Sequence, residues 1–307
     1  MRVSSALPRG VSALLFEAAR ERRALESRLA GRLEEAGYSE VVLPILDFAD
    51  PYEELLPPAS RRELYRFVDR EGELLLLRSD FTPLLARLLA PRLPSLALPL
   101  RLFYRGDVVR CRENRAGGLE ESFQLGAELV GESTDGEGEI LRLFLALLAA
   151  SGAHRLQVIV GFAGALDALL LERAGAEAAE VAAAVARRER GPARRAGRAV
   201  LEVIEEGRPA DPGALGPAAA SLIALEGLVT GLAAEVPEIE VKIDLAEFAC
   251  LEARDYYDGV VFRAFAAGRA QPVGGGGRYD TLFRRLGASL PAVGFTLGLD
   301  GLGGGDR

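Results

Sequence analysis

The 307-residue sequence contains two cysteines, one histidine and a single lysine, and it has no run of 18 consecutive apolar residues. Cys111, Cys250 and His154 supply too few ligands for a zinc site, and two thiols form no disulfide framework. The N-terminal sequence MRVSSALPRG lacks the apolar core of a secretion signal. These absences predict a cytoplasmic protein with no metal centre and no cofactor.

The sequence is acidic, with a formal net charge of -8, and nearly all of its positive charge is arginine because Lys242 is the only lysine. An acidic total argues against a broad nucleic-acid surface. With 49% hydrophobic and 27% charged residues, a chain of this length can bury a large core. We therefore expect a soluble globular protein with one large domain or two modest ones.

The stretch 100–131 alternates large apolar and polar residues in two runs, 101–112 and 121–131, around a polar loop at 113–120. This pattern predicts two long antiparallel strands joined by a loop. Elsewhere, apolar spacing predicts helices over 12–36 and 136–150 and strands over 38–48, 63–69, 73–78, 155–161 and 239–245. Residues 163–237 are rich in Ala, Leu, Glu and Arg, which predicts a helical insertion.

The predicted hairpin carries a polar set that suits a small zwitterion. Strand side chains alternate between faces, so Gln124, Gly126 and Glu128 lie on one face, and Gly126 leaves room for a ligand between the polar pair. Arg110 can hold a carboxylate and Glu128 an ammonium. A solvated sheet face with cross-strand pairs is the alternative from this stretch alone.

The segment after the 63–78 hairpin combines a helix start with a second acidic group. Thr82 can cap the helix that Pro83 opens, and Asp80 lies beside the positive end of that helix. Asp80 and Thr82 are therefore either a simple helix start or two groups that face a ligand ammonium.

Two further signals occur near the C-terminal end. Tyr256 and Tyr257 can provide flat walls and hydroxyls for an imidazole, although adjacent residues of a strand point to opposite faces. The glycines at 274–277 precede a predicted helix. They indicate either a flexible turn or a close approach of backbone to a ligand.

Taken in order, these segments resemble the catalytic domain of class II aminoacyl-tRNA synthetases. They are most similar to histidyl-tRNA synthetase and its paralogue, the regulatory subunit of ATP phosphoribosyltransferase. The region around Pro44 resembles motif 1, the 100–131 hairpin resembles motif 2, residues 291–302 resemble motif 3, and Asp255-Tyr256-Tyr257 resembles the histidine-binding signature. The resemblance implies a single domain of the synthetase catalytic type over residues 1–307, with the helical insertion at 163–237. Its fold is α+β, with a mainly antiparallel sheet of about six strands flanked by helices.

The resemblance also implies a histidine pocket. Its expected contacts are Asp80, Thr82 and Glu128 for the ammonium, Arg110 and Gln124 for other polar groups, and Tyr256, Tyr257 and Glu252 around the imidazole.

Departures from the synthetase pattern fall on the groups that handle phosphate. Asp300-Gly301 stands where motif 3 has Glu-Arg, and Glu252 replaces the arginine that opens the histidine signature. A glycine cannot replace a guanidinium, and a carboxylate repels developing negative charge. We therefore expect no catalytic residues and no aminoacylation. Because the sequence ends soon after Leu302, we also expect no anticodon-binding domain.

The best match implies a non-catalytic regulatory subunit that works with a short-form ATP phosphoribosyltransferase catalytic subunit in histidine biosynthesis. It further implies L-histidine as effector and self-association as a dimer, with neither tRNA nor a membrane as partner. The main alternative is a truncated histidyl-tRNA synthetase or another amino-acid-adenylating relative, which histidine-dependent pyrophosphate exchange would reveal. A synthetase-like binding or chaperone module is the third possibility.

Overall fold

The computed structural model describes residues 7, 10–111, 121–131, 135–249 and 256–302. Its strands are β1 Ser39–Glu40, β2 Leu46–Phe48, β3 Arg66–Val68, β4 Leu74–Leu77, β5 Leu100–Val109, β6 Glu121–Val130, β7 Leu156–Phe162, β8 Glu240–Ile243, β9 Val260–Ala266, β10 Gly274–Arg278 and β11 Ala292–Gly298. Its α-helices are α1 Phe16–Glu35, α2 Pro51–Leu55, α3 Pro58–Arg62, α4 Phe81–Leu89, α5 Gly136–Ser151, α6 Asp167–Ala174, α7 Ala178–Ala186, α8 Arg190–Ala196, α9 Arg198–Glu206, α10 Ala219–Glu235, α11 Asp280–Arg285 and α12 Leu299–Leu302. Short 3₁₀ turns occupy Ala90–Ser95, Gly175–Glu177, Pro212–Ala218 and Leu245–Phe248.

Within the described residues, eight strands form one sheet in the order β1-β5-β6-β11-β10-β9-β7-β8. Neighbouring strands are antiparallel except at the two edges, where β1 pairs with β5 and β7 with β8 in parallel. The prediction of a mainly antiparallel sheet flanked by helices is confirmed. The sheet has more strands than the expected six, and β2, β4 and β3 form a separate sheet.

One face of the large sheet is apolar and packs under helices α1 and α5. Phe144 of α5 contacts Phe262 and Phe295, with ring centroids 4.9 and 5.1 Å apart. Helix α1 begins at Phe16, four residues later than predicted. Its buried core leucines are Leu25, Leu29 and Leu33. Because strand side chains alternate, covering this face leaves the opposite face for polar groups.

The glycine run forms strand β10 in the middle of the sheet and is not a turn, so that interpretation was wrong. A methyl group added at Gly275 would lie 2.6 Å from the carbonyl oxygen of Phe262, and one at Gly277 would lie 2.5 Å from that of Val260. Any larger residue would therefore collide with the neighbouring backbone. The glycines let strands β9, β10 and β11 pack closely, and they place no side chain of their own on the polar face of the sheet.

Helices α6 to α10 lie between β7 and β8, in the region where a helical insertion was expected. By length and composition, Pro212–Glu235 qualifies as a candidate membrane span. The backbone is kinked at Gly216, and Leu222, Leu225 and Leu232 of α10 pack into the protein core. This packing is that of a helix belonging to the folded domain.

The small sheet presents an apolar face to solvent. Its members are Leu46, Phe48 and Phe67, which are 43%, 53% and 40% exposed. Phe48 and Phe67 are both register partners of Leu75, on opposite sides of β4. Pro44 lies just before β2, so the single strand predicted over 38–48 is divided into β1 and β2, which belong to different sheets. We call Leu46, Phe48 and Phe67 the apolar face.

Candidate functional site

The turn from β4 into α4 places Asp80 and Thr82 at the polar face of the large sheet. The Asp80 carboxylate accepts a hydrogen bond from the backbone N–H of Thr82 at 3.1 Å, and the helix begins at Phe81. Asp80 is therefore the N-cap, and the prediction that Thr82 fills this role was wrong. Asp80 suits this position because aspartate ranks above threonine as an N-cap, and a carboxylate is favoured at the positive end of a helix. The Thr82 hydroxyl does not cap the helix and instead donates to the Glu128 carboxylate at 2.6 Å.

Strand β6 carries Gln124, Gly126 and Glu128 on one face, as its period of two predicted. Gly126 pairs in register with Tyr104 on β5 and with Thr296 on β11. A methyl group added at Gly126 would lie 2.5 Å from the Tyr104 hydroxyl. The space above Gly126 is thus filled by a tyrosine of the protein itself, and the expectation that it accommodates a ligand was wrong.

Glu128 is fully buried and accepts hydrogen bonds from three hydroxyl groups. Thr82 and Tyr104 donate to Oε1 at 2.6 and 3.1 Å, and Tyr279 donates to Oε2 at 2.5 Å. The pKa of Glu128 is raised to about 7, mainly by burial and also by the nearby Asp80 charge, while the three hydroxyls oppose the rise. Among the described residues, no arginine or lysine forms an ion pair with this carboxylate.

Tyr256 and Tyr257 precede β9 and are not part of a strand, so the expectation that they point to opposite faces was wrong. Their rings pack against each other with centroids 4.6 Å apart. Tyr256 also meets Tyr279 edge to face at 6.2 Å. Gly277 makes this arrangement possible, because an added methyl group would lie 2.9 Å from the Tyr257 ring. Through this ring contact the two tyrosines lie beside Tyr279, one of the hydroxyl donors to Glu128.

Arg110 and Gln124 lie at the more open side of the same face. The Arg110 guanidinium donates to the carbonyl oxygen of Ser79 at 2.8 Å, and it lies 3.9 Å from the Asp80 carboxylate. The Oε1 atom of Gln124 is buried without a hydrogen-bond partner. Glu252, the eighth predicted site residue, lies outside the described residues, as does the predicted 113–120 loop.

The segment that resembles motif 3 makes an ion pair and a hydrogen bond within the protein, near the start of β6. The Asp300 carboxylate pairs with Arg22 of α1 at 2.5 Å and accepts the backbone N–H of Phe123 at 2.9 Å. The Arg22 guanidinium stacks on the Phe123 ring, 4.5 Å from its centroid. A methyl group added at Gly301 would lie 2.9 Å from the Val273 side chain. Asp300 is therefore a structural ion-pair partner here.

Sequence reasoning missed Tyr104 and Tyr279, which supply two of the three hydroxyls around Glu128. Tyr104 is the register partner of Gly126, and a tyrosine opposite a glycine is a signal of cross-strand packing. Tyr279 follows the glycine strand directly, but 151 residues separate it from Glu128 in sequence. No local pattern reveals that contact.

The assembled site has the chemical groups that suit a small cation that also carries an anionic group. Two carboxyl groups, Asp80 and Glu128, lie near each other, and a bound ammonium would compensate the second of them. Arg110 supplies a positive charge beside them, and the tyrosines supply flat apolar walls. Within the part of the chain that the structure describes, no group of three or more His, Cys, Asp or Glu side chains is arranged to hold a metal ion.

Comparison with known proteins gives one consistent family. The sequence model of the family described as histidyl-tRNA synthetase matches residues 10–302. The ATP phosphoribosyltransferase regulatory subunit of Moorella thermoacetica is 36% identical, over 96% of this chain and 80% of its own length. That of Carboxydothermus hydrogenoformans is 31% identical, over 96% of this chain and 94% of its own length.

Solved structures agree with these sequence matches. A histidine–tRNA ligase subunit from Alicyclobacillus acidocaldarius is 28% identical and has a TM-score of 0.76, covering 98% of this chain and 97% of its own. An ATP phosphoribosyltransferase regulatory subunit/histidyl-tRNA synthetase from Bacillus halodurans has a TM-score of 0.81 at 24% identity, over 98% of this chain and 83% of its own. The second match supports the fold alone. Both have the architecture described above.

Proposed function

This chain belongs to the histidyl-tRNA synthetase family and, within it, to the ATP phosphoribosyltransferase regulatory subunits, and we propose that it binds free L-histidine in the Glu128 pocket and controls a separate catalytic subunit. The phosphoribosyl transfer to ATP then takes place on that partner. This chain contributes assembly, activation and histidine sensing. As a subunit of a biosynthetic complex, it acts in the cytoplasm.

The observation that carries this proposal is the buried Glu128 carboxylate, which has hydroxyl donors but no cationic partner among the described residues. Burying an ionised carboxylate costs several kcal/mol unless it is neutralised or paired. A ligand ammonium supplies the missing charge, with Asp80 and Thr82 beside it. Arg110 and Gln124 then contact the remaining polar groups, and Tyr256 and Tyr257 flank the imidazole. Glu252 completes the proposed set.

The ion pair that Asp300 forms with Arg22 supports a non-catalytic role. An adenylating synthetase needs a guanidinium near the ATP phosphates. At the corresponding place this chain has Gly301 against Val273, and the described arginine in contact with Asp300 is Arg22, which is already paired with it. We infer that the chain does not form an adenylate and does not charge tRNA.

The apolar face supports self-association as a dimer. Leu46, Phe48 and Phe67 are large apolar side chains on one small sheet, and such exposed patches mark protein contacts. They lie beside Pro44, in the region that resembles the motif 1 dimer contact. Two copies related by a two-fold axis can cover this face with the same face of the partner.

An activity assay tests the function directly. Phosphoribosyl-ATP formation by a short-form catalytic subunit is measured with and without this chain, across a histidine titration. We expect the chain to stimulate the partner, and histidine to remove that activity. The control is Glu128→Gln, which should assemble with the partner and stimulate it but lose most of its response to histidine.

Two outcomes would contradict the proposal. Unchanged partner activity together with no complex formation would favour a synthetase-like binding module with another partner. Histidine-dependent pyrophosphate exchange by the chain alone would favour an adenylating enzyme. Calorimetric titration of the isolated chain with histidine separates loss of sensing from loss of assembly.

A further inference from the structure

Arg78 is a buried cation that no carboxylate pairs with in the described part of the chain. Its residue is 6% exposed, and its guanidinium is held by backbone carbonyls. Nη1 donates to the carbonyl oxygens of Leu43 and Pro44 at 2.8 and 3.0 Å. Nη2 and Nε donate to that of Asp107 at 2.8 and 3.2 Å. One side chain therefore joins two segments that are distant in sequence.

The first of these segments leads directly into the apolar face. Leu43 and Pro44 precede Ile45, whose carbonyl oxygen accepts the backbone N–H of Arg78 at 2.8 Å. Ile45 is 41% exposed, and β2 with Leu46 and Phe48 follows at once. Any shift of this segment when a second copy covers the apolar face must therefore act on both the backbone and the guanidinium of Arg78.

On its other side, Arg78 begins a line of stacked groups that ends at Glu128. The guanidinium lies 3.8 Å from the centroid of the Phe81 ring. Phe81 stacks on Tyr104 at 4.2 Å with the rings nearly parallel. The Tyr104 hydroxyl donates to the Glu128 carboxylate. The contacts are continuous from the apolar face to the centre of the proposed histidine pocket.

The contact geometry requires an arginine. A planar guanidinium can stack on a ring and donate to carbonyls from its edges at the same time, whereas an ammonium is a point charge without a flat face. Gly106 leaves the room that this group needs, because an added methyl group would lie 2.9 Å from Nη2.

We propose that Arg78 is a positioning residue that links occupation of the apolar face by a second copy of the chain to the geometry of the Glu128 pocket. This inference rests on the proposed self-association. By thermodynamic linkage, self-association then changes histidine affinity by the same factor by which histidine changes self-association. Couplings of this kind usually amount to about 5- to 150-fold.

The first test needs no ligand. Hydrogen exchange is measured at protein concentrations above and below the self-association constant, and peptides covering 41–48 and 121–130 are compared. In the unaltered chain, both peptides should become at least about fivefold more protected on association. In Arg78→Lys, only the 41–48 peptide should do so.

Arg87→Lys is the matched control. Arg87 also ties α4 to the small sheet, through an ion pair with Asp47, but it makes no stacking contact on the line to Tyr104. It should behave like the unaltered chain. If both variants lost the added protection of the 121–130 peptide equally, Arg78 would only stabilise the fold in general, and the proposal would be overturned. The proposal would also be overturned if the chain did not self-associate, or if the 121–130 peptide of Arg78→Lys became as protected on association as that of the unaltered chain.

The second test uses histidine and separates this proposal from the proposed function. Sedimentation measures the self-association constant with and without saturating histidine. We expect a shift of at least about fivefold in the unaltered chain and within twofold of none in Arg78→Lys. If histidine does not bind at all, histidine sensing fails, and the exchange experiment still decides the role of Arg78.

Discussion

The two ends of strand β6 treat their polar groups in opposite ways. At Glu128, a buried carboxylate accepts from three hydroxyls and has no cation beside it in the described ranges, whereas about 17 Å away, at Phe123, the Asp300 carboxylate already has Arg22 and a backbone amide. At the first end, no cation among the described residues pairs with the carboxyl group. At the second end, the Asp300 carboxylate is paired with Arg22 of the same chain. The comparison teaches that one strand can hold an unpaired carboxyl group at one end and place the other end against a carboxylate that is already paired.

The largest effect should come from Gly294→Ala, which disturbs the Glu128 end directly. The added methyl group would overlap the Glu128 carboxylate and lie 2.7 Å from the carbonyl oxygen of Ala127. Overpacking combined with broken hydrogen bonds should cost about 4 kcal/mol in the free energy of unfolding. Urea denaturation measures this cost. Gly298→Ala on the same strand is the control, since its nearest neighbour would be 3.6 Å away. A cost below 1 kcal/mol for Gly294→Ala would mean that the carboxylate is loosely held.

Glu128→Gln should change how stability depends on pH. The pKa of Glu128 is about 7 in the folded protein and 4.5 as a reference, so the folded state binds more protons between these values. The stabilisation is complete below pH 4.5 and is lost as pH rises to 7, by about 3 kcal/mol in all. Glu128→Gln should lack this loss when unfolding is measured across the range.

Glu139→Gln is the control with the opposite sign. Its bonds from Arg101, together with that of Tyr38, hold the pKa of Glu139 below its usual value. The stability it contributes is therefore present at neutral pH and lost as pH falls. Parallel pH profiles for the two variants would contradict the assignment of Glu128 as the buried, proton-binding carboxylate.

A smaller effect is expected at the other end of β6. Asp300→Ala removes both the Arg22 pair and the acceptor for the Phe123 amide, and should cost about 2 kcal/mol. Asp300→Asn can keep the amide bond and should cost about 1 kcal/mol. Both variants should bind histidine within twofold of the unaltered chain, measured by calorimetry. A loss of histidine affinity like that of Glu128→Gln would place Asp300 in the pocket.

No effect on chemistry is expected from Gly301→Arg. The new side chain would meet Val273, and Asp300 beside it remains paired with Arg22. Histidine-dependent pyrophosphate exchange should stay at background, also when Val273→Ala provides room. Measurable exchange would show that one arginine is enough to restore adenylate formation at the Asp300 end of β6. The functional difference between the two ends of the strand would then be small.

Predictions from sequence succeeded where the determining interactions are local. Alternation along β6 placed Gln124 and Glu128 on one face because strand geometry depends only on neighbouring residues. The prediction of the Thr82 cap failed over two residues, because Thr82 has a better partner in Glu128, 46 residues away. The fold class followed from hairpin patterns and from the family resemblance.

Other features could not be predicted because they depend on contacts between distant segments. The hydroxyls of Tyr104 and Tyr279 reach Glu128 from 24 and 151 residues away. Tyr256 and Tyr257 were assigned to a strand, but they precede β9 and pack side by side. The glycine strand lacks the apolar residues by which strands are recognised, and only its neighbours β9 and β11 make it one.

That glycine strand has a consequence for how substitutions in this protein should be read. A saturation mutagenesis scan of residues 274–277 should find almost no tolerated replacement, because each added side chain would meet the backbone or side chains of an adjoining strand. The resulting map would look like that of a catalytic centre. Its intolerance would report the spacing of three strands, since these residues have no side chain to perform chemistry. A scan of Glu128 and Thr82 would mix stability with the proposed histidine binding, and only separate measurements of stability and of histidine affinity tell these kinds of intolerance apart.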